Sequence, residues 1–436
     1  MSKYLRRKVV ISLFVLAIFG TAKICSAGDG LIRAEIAELK TRITQLEEKL
    51  AQQDEKVTEL KEKGISPWEG LNIGAGATFV VQGTVDANRS TNPKEDVTDG
   101  SYSVDLEIEK EFGDFGLGFV HLETGDGAGV EDELELFSNV NRDADDSGNS
   151  VSLTEAWYEH YFLDNQLTLT AGKIDSTCYL DQNEIANDET TQFLGRIFRN
   201  APTIDFPDNN AGLRALIAPA SISWLELEAQ VMDGAGDWED IFDNIFTTYQ
   251  LNIKPQIFAD LSGNYRAYGW YKHTNYSNWA EIDNETSQFK HKYGFGLSCD
   301  QQLADNFTLF TRYGWCNPDV YDSGITSSSG ANYSLEHTWS VGAQLNGEVW
   351  GREQDYLGLA LGMAVPSDKY KEAGANRKAD NEGHFELYYA WQVNDHLTLS
   401  PDLHIIWNPF GSDYIVNNER RDDAITVIGC RGQVDF

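Results

Sequence analysis

The last thirteen residues, Ala424 to Phe436, constrain the fold most. They read AITVIGCRGQVDF, with Ile428, Cys430, Val434 and Phe436 on one parity and Arg431, Gln433 and Asp435 on the other. Successive side chains of a strand point to opposite faces, so this segment has one apolar face and one polar, partly charged face. A soluble antiparallel strand alternates in the same way. An apolar-out, polar-in strand that ends a secreted chain on an aromatic residue is what a transmembrane barrel requires, because closure leaves no unpaired backbone edge in lipid.

The N-terminus reads as a secretion signal over residues 1–27. Lys3, Arg6, Arg7 and Lys8 form a basic region, Val9 to Gly20 is an apolar stretch too short for a comfortable span, and Cys25-Ser26-Ala27 offers a small-x-small cleavage site. A lipid anchor on Cys25 is disfavoured, since Lys23 and Ile24 stand where small residues are wanted. No other segment is apolar enough for a membrane helix, as expected of a chain that must cross the inner membrane completely.

Twelve per cent of the residues are aromatic, and 38 Gly stand against 10 Pro, which suits short strands, many turns and aromatic girdles. The formal net charge of -35 argues against nucleic acid as a partner. The four cysteines beyond the signal, Cys178, Cys299, Cys316 and Cys430, are far apart and lack metal-type spacing. Small buried thiols are the simpler reading, with Cys430 on the lipid face of its strand, and a Cys178–Cys316 bridge near the outer rim is the alternative. No cofactor or metal is expected.

Residues 28–64 have another period. Ile36, Ile43, Leu50 and Val57 fall at heptad a positions and Leu39, Leu46 and Leu60 at d, with Gln53 also at d. Glu35 with Lys40, Arg42 with Glu47, and Lys49 with Asp54 are g-to-e pairs of opposite sign. A short α-helical coiled coil is expected, hence self-association, with an amphipathic helix on the barrel rim as the alternative. Gly64 ends the helix and Pro67-Trp68 leads into the barrel, assigned to residues 65–436.

From Leu71 onward the chain alternates in about sixteen blocks, from Leu71–Asp86 and Ser101–Glu111 to His396–Trp407 and Ala424–Phe436. The fold class is therefore an all-β transmembrane barrel of about 16 antiparallel strands. Short connections such as Asp164-Asn165 and Asn394-Asp395 alternate with long ones such as Gly125–Ser150, Ser176–Asn209 and Pro366–Gly383. Short turns belong on the periplasmic side, which puts both barrel termini and the coiled coil in the periplasm of a Gram-negative-type cell, within reach of the cell wall. Ser176–Asn209 is the longest connection and carries Phe193, Leu194 and Phe198. A loop this apolar needs a wall to pack on, either inside the pore or as an outer flap on the rim. The inward path would place Asp181, Asn183, Arg196 and Arg199 at the constriction.

Several stretches resemble the OprB-type carbohydrate-selective porins: LTLTAGKID over Leu167–Asp175, then Asn183, Ala186-Asn187, Gln192-Phe193, Asn200-Ala201-Pro202 and Gly212, and the ending Gly429-x-Arg431 to Phe436. The resemblance runs through most of Trp68–Phe436. It implies a sixteen-stranded pore that admits small sugars, and it tips the self-association toward a trimer, with a dimer as the alternative.

With the more apolar parity facing lipid, the lumen receives Asp105, Glu107 and Glu109, then Trp224, Glu226, Glu228 and Gln230. It also receives Arg266, Tyr268, Trp270, Lys272, Lys292, Arg312, Asp402, His404, Arg431 and Gln433. Hydrogen-bonding groups beside aromatics can hold hydroxylated solutes with apolar ring faces. Phe436 is the candidate assembly signal. Two readings follow: a carbohydrate pore, or a general, cation-preferring diffusion pore with an envelope-spacing role. Neither is an enzyme, because none of the eight His sits with Ser or Cys in a nucleophile–base constellation.

Overall fold

A computed structural model describes residues 68–89, 96–144, 148–239, 241–255, 261–279, 290–321, 332–374 and 377–436. The expected signal and coiled coil lie outside the described residues.

Sixteen long antiparallel strands form the wall. In chain order they are β1 Leu71–Val85, β2 Thr98–Glu111, β3 Gly116–Asp126, β4 Ser152–Phe162, β5 Leu167–Ile174, β6 Asn210–Ile217, β7 Leu225–Asp233 and β8 Ile245–Ile253. The second half comprises β9 Gly263–Asn278, β10 Lys290–Ala304, β11 Phe307–Cys316, β12 Leu335–Asn346, β13 Tyr356–Pro366, β14 Glu382–Asn394, β15 Leu397–Trp407 and β16 Ile425–Asp435. Each pairs with its sequence neighbour, and β1 also pairs with β16, from Gly76 opposite Asp435 to Val85 opposite Thr426. The sheet therefore closes on itself, which satisfies the backbone groups of both end strands.

The expected alternation sets the two faces. On β1, Phe79 and Val81 point outward at 49% and 54% exposed, while Thr78 and Gln82 are buried on the inside. On β16, Ile428 is 60% exposed and Arg431 1%. Phe112, Phe115, Phe162, Trp350 and Trp391 are exposed around the short-turn rim, as an interfacial girdle should be. Trp224 corrects the lumen assignment. It precedes β7 in the turn after Ala220–Ile222 and is 52% exposed, so it stands at this rim and not in the pore. The turn at Asp164 and Asn165 needs left-handed backbone (φ 54° and 65°), which Asp and Asn tolerate better than most residues.

Most strand ends fall within a few residues of the expected blocks. The exception is β9, which runs on from Lys272 to Asn278, where Ser277 and Asn278 pair with the short strand Val320–Tyr321. These residues lie beyond the alternating block, so hydropathy did not mark the end. All four described cysteines are free thiols, so Cys178 and Cys316 do not pair; of the four, Cys316 is buried, Cys178 and Cys299 are half-buried and Cys430 is exposed, which corrects the expectation of buried thiols.

Candidate functional site

The connection from β5 to β6 turns inward and crosses the lumen. Asp175 starts it, its carboxylate accepting from the Thr177 N–H at 2.8 Å. The chain then bonds to wall after wall. Ser176 Oγ donates to Gln230 on β7 (3.0 Å), the Asp181 N–H donates to Gln250 on β8 (3.1 Å), and Ser298 on β10 donates to the Gln182 carbonyl (2.6 Å). Arg312 on β11 donates to the carbonyls of Asp181 and Phe198. On the far side, Glu386 of β14 accepts the N–H groups of Leu194 and Gly195 at 2.7 and 2.9 Å. Arg431 of β16 donates to the carbonyls of Glu189 and Gln192 at 2.6 and 2.8 Å.

Apolar anchors fix the same path. Phe193 packs 4.9 Å from the ring of Tyr388 and 5.6 Å from Phe310, both inward-facing wall residues. Phe193, Ile197 and Phe198 are all buried, and each such burial is worth about 1.5–3 kcal/mol. The outer-flap alternative is thereby excluded for this loop.

A second insertion accompanies it. In the connection from β3 to β4, Val130, Leu134, Phe137 and Val140 are buried, several of them against Ile406, Ile425 and Val427 of the inner wall. Glu382 of β14 accepts the N–H groups of Phe137, Ser138 and Phe410. The two inserted loops bond to each other, Arg142 N–H to the Leu194 carbonyl (2.9 Å) and Arg196 N–H to the Asn139 carbonyl (3.1 Å).

Between these loops and the wall formed by β16 and β1 to β5 lies a cavity of about 1080 Å³. Its wall side carries Asp105, Glu107, His121, Glu123, Glu155 and Lys173, and its loop side carries Arg142, Asp143, Asp188, Glu189, Arg196 and Arg199. His121 Nε2 lies 2.8 Å from Asp105. Arg199 pairs with Glu189 and donates to Asn200. The cavity therefore sets acid-rich wall against arginine-bearing loop.

Of the residues singled out from the sequence, Asp105, Glu107, Arg196, Arg199 and Gln433 line this cavity. Most of the others are buried under the loop or in the wall. Asp181 is fully buried against Arg312, 3.2 Å away, and Asn183 is buried against Ser298. Arg266 pairs with Asp300 at 2.6 Å, and Glu228 with Arg214 at 2.9 Å. Lys292 and Lys272 each lie 3.1 Å from Asp205 of the loop, with Tyr276 Oη donating to the same carboxylate. Trp270 is buried beside Phe246, while Asp402 and Arg431 are buried on β15 and β16. Inward parity was legible for the strand residues, but the covering loop makes them braces of that loop and of the wall; Asp181 and Asn183, expected at the constriction, are buried against the wall instead. Residues not anticipated are Glu382, Glu386 and the cavity face of the β3–β4 connection, Asn139, Arg142 and Asp143. Their signals were the alternation Glu382, His384, Glu386 and the apolar spacing Val130, Leu134, Phe137, Val140.

Burial shifts the loop acids. It pushes Asp143 up to about 8, with Glu189 nearby acting in the same direction. It pushes Asp181 up to about 6, less than burial alone would because Arg312 opposes it. Asp205 is also buried, but Lys292 and Lys272 outweigh burial and hold its carboxyl well below the usual range.

Among the described residues, Glu386, Asp402 and His404 bring donor atoms within 4.8 Å of one another, a set with the composition of a metal centre. The imidazole stands between the two acids, Nδ1 3.7 Å from Glu386 and Nε2 2.5 Å from Asp402, and Glu386 already accepts two loop N–H groups. This arrangement reads as a buried polar cluster, of which Glu386 supports the loop.

Sixteen antiparallel strands closed around a lumen that an inserted loop narrows define an outer-membrane porin. The solved structure of OprB from Pseudomonas putida is similar, with TM-score 0.68 at 16% identity over 87% of this chain and 96% of that one. The outer-membrane channel DcaP of Acinetobacter baumannii gives TM-score 0.50 at 10% identity over 86% of this chain and 99% of that one. At these identities the likeness is one of fold. An uncharacterized protein of Aquifex aeolicus is 28% identical over 167 residues, 38% of this chain. The chain thus spans about half the length of that curated relative (45%). The model of the carbohydrate-selective porin family, OprB type, matches residues 99–436, and the chain belongs to that family.

Proposed function

We propose that the protein passes small neutral carbohydrates across the outer membrane by passive or weakly saturable diffusion. The observation that carries this reading is the cavity narrowed by two loops, with guanidinium donors on the loop side and carboxylate acceptors on the wall and on the loops. A sugar ring presents hydroxyls that both donate and accept, so it can bond to both sides at once, whereas a simple ion engages one. Flux of a monosaccharide into proteoliposomes should saturate, and flux of a size-matched polyol of different stereochemistry should be slower. Linear, stereochemistry-blind flux would support the second reading, a general cation-preferring pore. The acids Asp105, Glu107 and Glu123 in the cavity and the net charge of -35 favour that alternative.

The heptad seam over residues 28–64 carries an accompanying proposal. Mature chains associate through it, three copies being favoured, on the periplasmic side where it can space the outer membrane from the wall. Native mass measurement in detergent tests this, and a monomer with that segment intact would refute it.

A further inference from the structure

The two loops present a feature that passage of neutral sugars does not require. Arg142 is exposed and Arg196 partly exposed, and both side chains line the cavity. Among the described residues neither guanidinium has an ion pair or a hydrogen bond, in contrast to Arg199, Arg214, Arg266 and Arg312, each of which has a carboxylate partner. The backbone fixes their proximity. Arg142 N–H donates to the Leu194 carbonyl and Arg196 N–H to the Asn139 carbonyl, so the segments 139–142 and 194–196 run side by side and hold the two cations on one platform. Two unpaired like charges placed together and facing a cavity are unfavourable unless an anion visits.

None of the loop acids forms an ion pair with either arginine: Asp208 lines the cavity without contacting them, and Asp205, which acts on Arg196 from beneath, is held by Lys272 and Lys292. Glu189 is engaged by Arg199, and Asp188 accepts from Thr190 and Thr191 in its own turn. Asp143 is held protonated at neutral pH by burial and by Glu189. The wall opposite offers Asp105, Glu107 and Glu123 as acceptors. A ligand that fits both sides has an anionic group for the arginines and hydroxyl donors for the wall.

We infer that Arg142 and Arg196 form an anion subsite in the pore, selecting hydroxylated anions of the sugar-acid or sugar-phosphate class over neutral sugars of equal size. This rests on the carbohydrate-pore reading and narrows its substrate class. The guanidinium pair takes the carboxylate or phosphate oxygens through charge-assisted bonds, and the ring hydroxyls donate across the cavity.

The test uses the full-length protein in planar bilayers, with D-glucose, D-glucuronate and glucose 6-phosphate as probes of single-channel current at low and high salt. Liposome flux of the same three solutes runs in parallel. In the wild type, one or both anions should half-block at a concentration about tenfold below that of glucose, the factor expected of one good charge-assisted contact. The advantage should shrink as salt rises. Whichever anion blocks at the lower concentration identifies the carboxylate or the phosphate as the better group. Arg142→Gln with Arg196→Gln should erase the advantage while glucose block moves less than about twofold, since neutral hydroxyls keep the other donors. Lys369→Gln, which removes one exposed cation outside the cavity, should leave it intact. Arg142→Gln alone, at an exposed side chain, should give an intermediate loss and covers the case of a double variant that fails to assemble. An anion advantage absent from the wild type, or unchanged in Arg142→Gln and in the double variant, overturns the subsite. If glucose permeates and the anions show no advantage, the subsite falls and the sugar pore stands. If the anions block and permeate but glucose does neither, the neutral-sugar reading falls and the subsite stands.

Discussion

Arg312 on β11 and Asp181 on the inserted loop lie 3.2 Å apart, their side chains 1% and 0% exposed. Arg312 also donates to the carbonyls of Asp181 and Phe198 and to Asn187 Oδ1, so one wall residue holds three points of the loop. Removing one partner of a buried pair leaves the other charge without compensation, a loss of about 3–5 kcal/mol. Arg312→Met should therefore loosen the loop and leave the barrel closed, because the wall closes through its own backbone bonds. Single-channel recording should show higher and noisier conductance, and adding Asp181→Asn should recover part of the loss. Wild-type conductance in Arg312→Met would mean that the pair does not hold the loop.

Glu386 makes the matching contact on the opposite wall, accepting Leu194 and Gly195 N–H groups. Glu386→Ala strands two buried donors, each a loss of about 1–3 kcal/mol. The same segment carries Phe193, so its aromatic packing should loosen with it. The expected outcome is faster proteolysis within residues 182–200 in detergent with the strands still protected. Glu386→Gln, which keeps an acceptor, should be milder.

Asp143 should give the pore a pH dependence. Its folded carboxyl is raised from 3.8 to about 8 by burial first and Glu189 second. A raised acid is neutral in the fold at pH 7 and ionises as pH rises through about 8, adding a negative charge beside the cavity. The stability it contributes is complete below its unfolded value and is lost as pH rises through the folded one. Reversal potentials in a KCl gradient should shift toward cations between pH 7 and 9, and Asp143→Asn should remove that step. A step of the same size in Asp143→Asn would assign it to another group.

The strands were legible because each has one face in lipid and one in water, so alternation survives along nearly the whole wall. The inward parity of Arg266, Arg312 and Arg431 followed from it. What could not be read was that a loop covers them, since a loop has no period to align with a wall. The inward path of residues 176–209 was legible from Phe193, Leu194 and Phe198. The same logic applies to Val130, Leu134 and Phe137 in residues 127–151, where the acid-rich context EDELE masks the apolar spacing. Ile425 and Val427 carry the complementary signal: apolar residues on the lumen face of the last strand mark where something packs inside.

Phe436 ends the chain 79% exposed, with its N–H donating to the Ala75 carbonyl of β1 at 2.9 Å. We propose that this exposed aromatic, which follows the closing strand, is a recognition mark for barrel insertion. Deleting Phe436 should lower outer-membrane yield and leave degradation products in the periplasm, as read by fractionation and heat-shifted gel mobility. Normal insertion of the truncated chain would remove it from that role.

The central claim is that the loop inserted between β5 and β6 narrows the pore and supplies its solute contacts. The most direct measurement is single-channel conductance, with and without glucose, of the wild type and of a variant in which residues 182–200 are replaced by a short Gly-Ser linker. The wild type should conduct less and show concentration-dependent glucose block, and the shortened variant should conduct more and lose the block. Equal conductance and equal block in the two proteins would contradict the account.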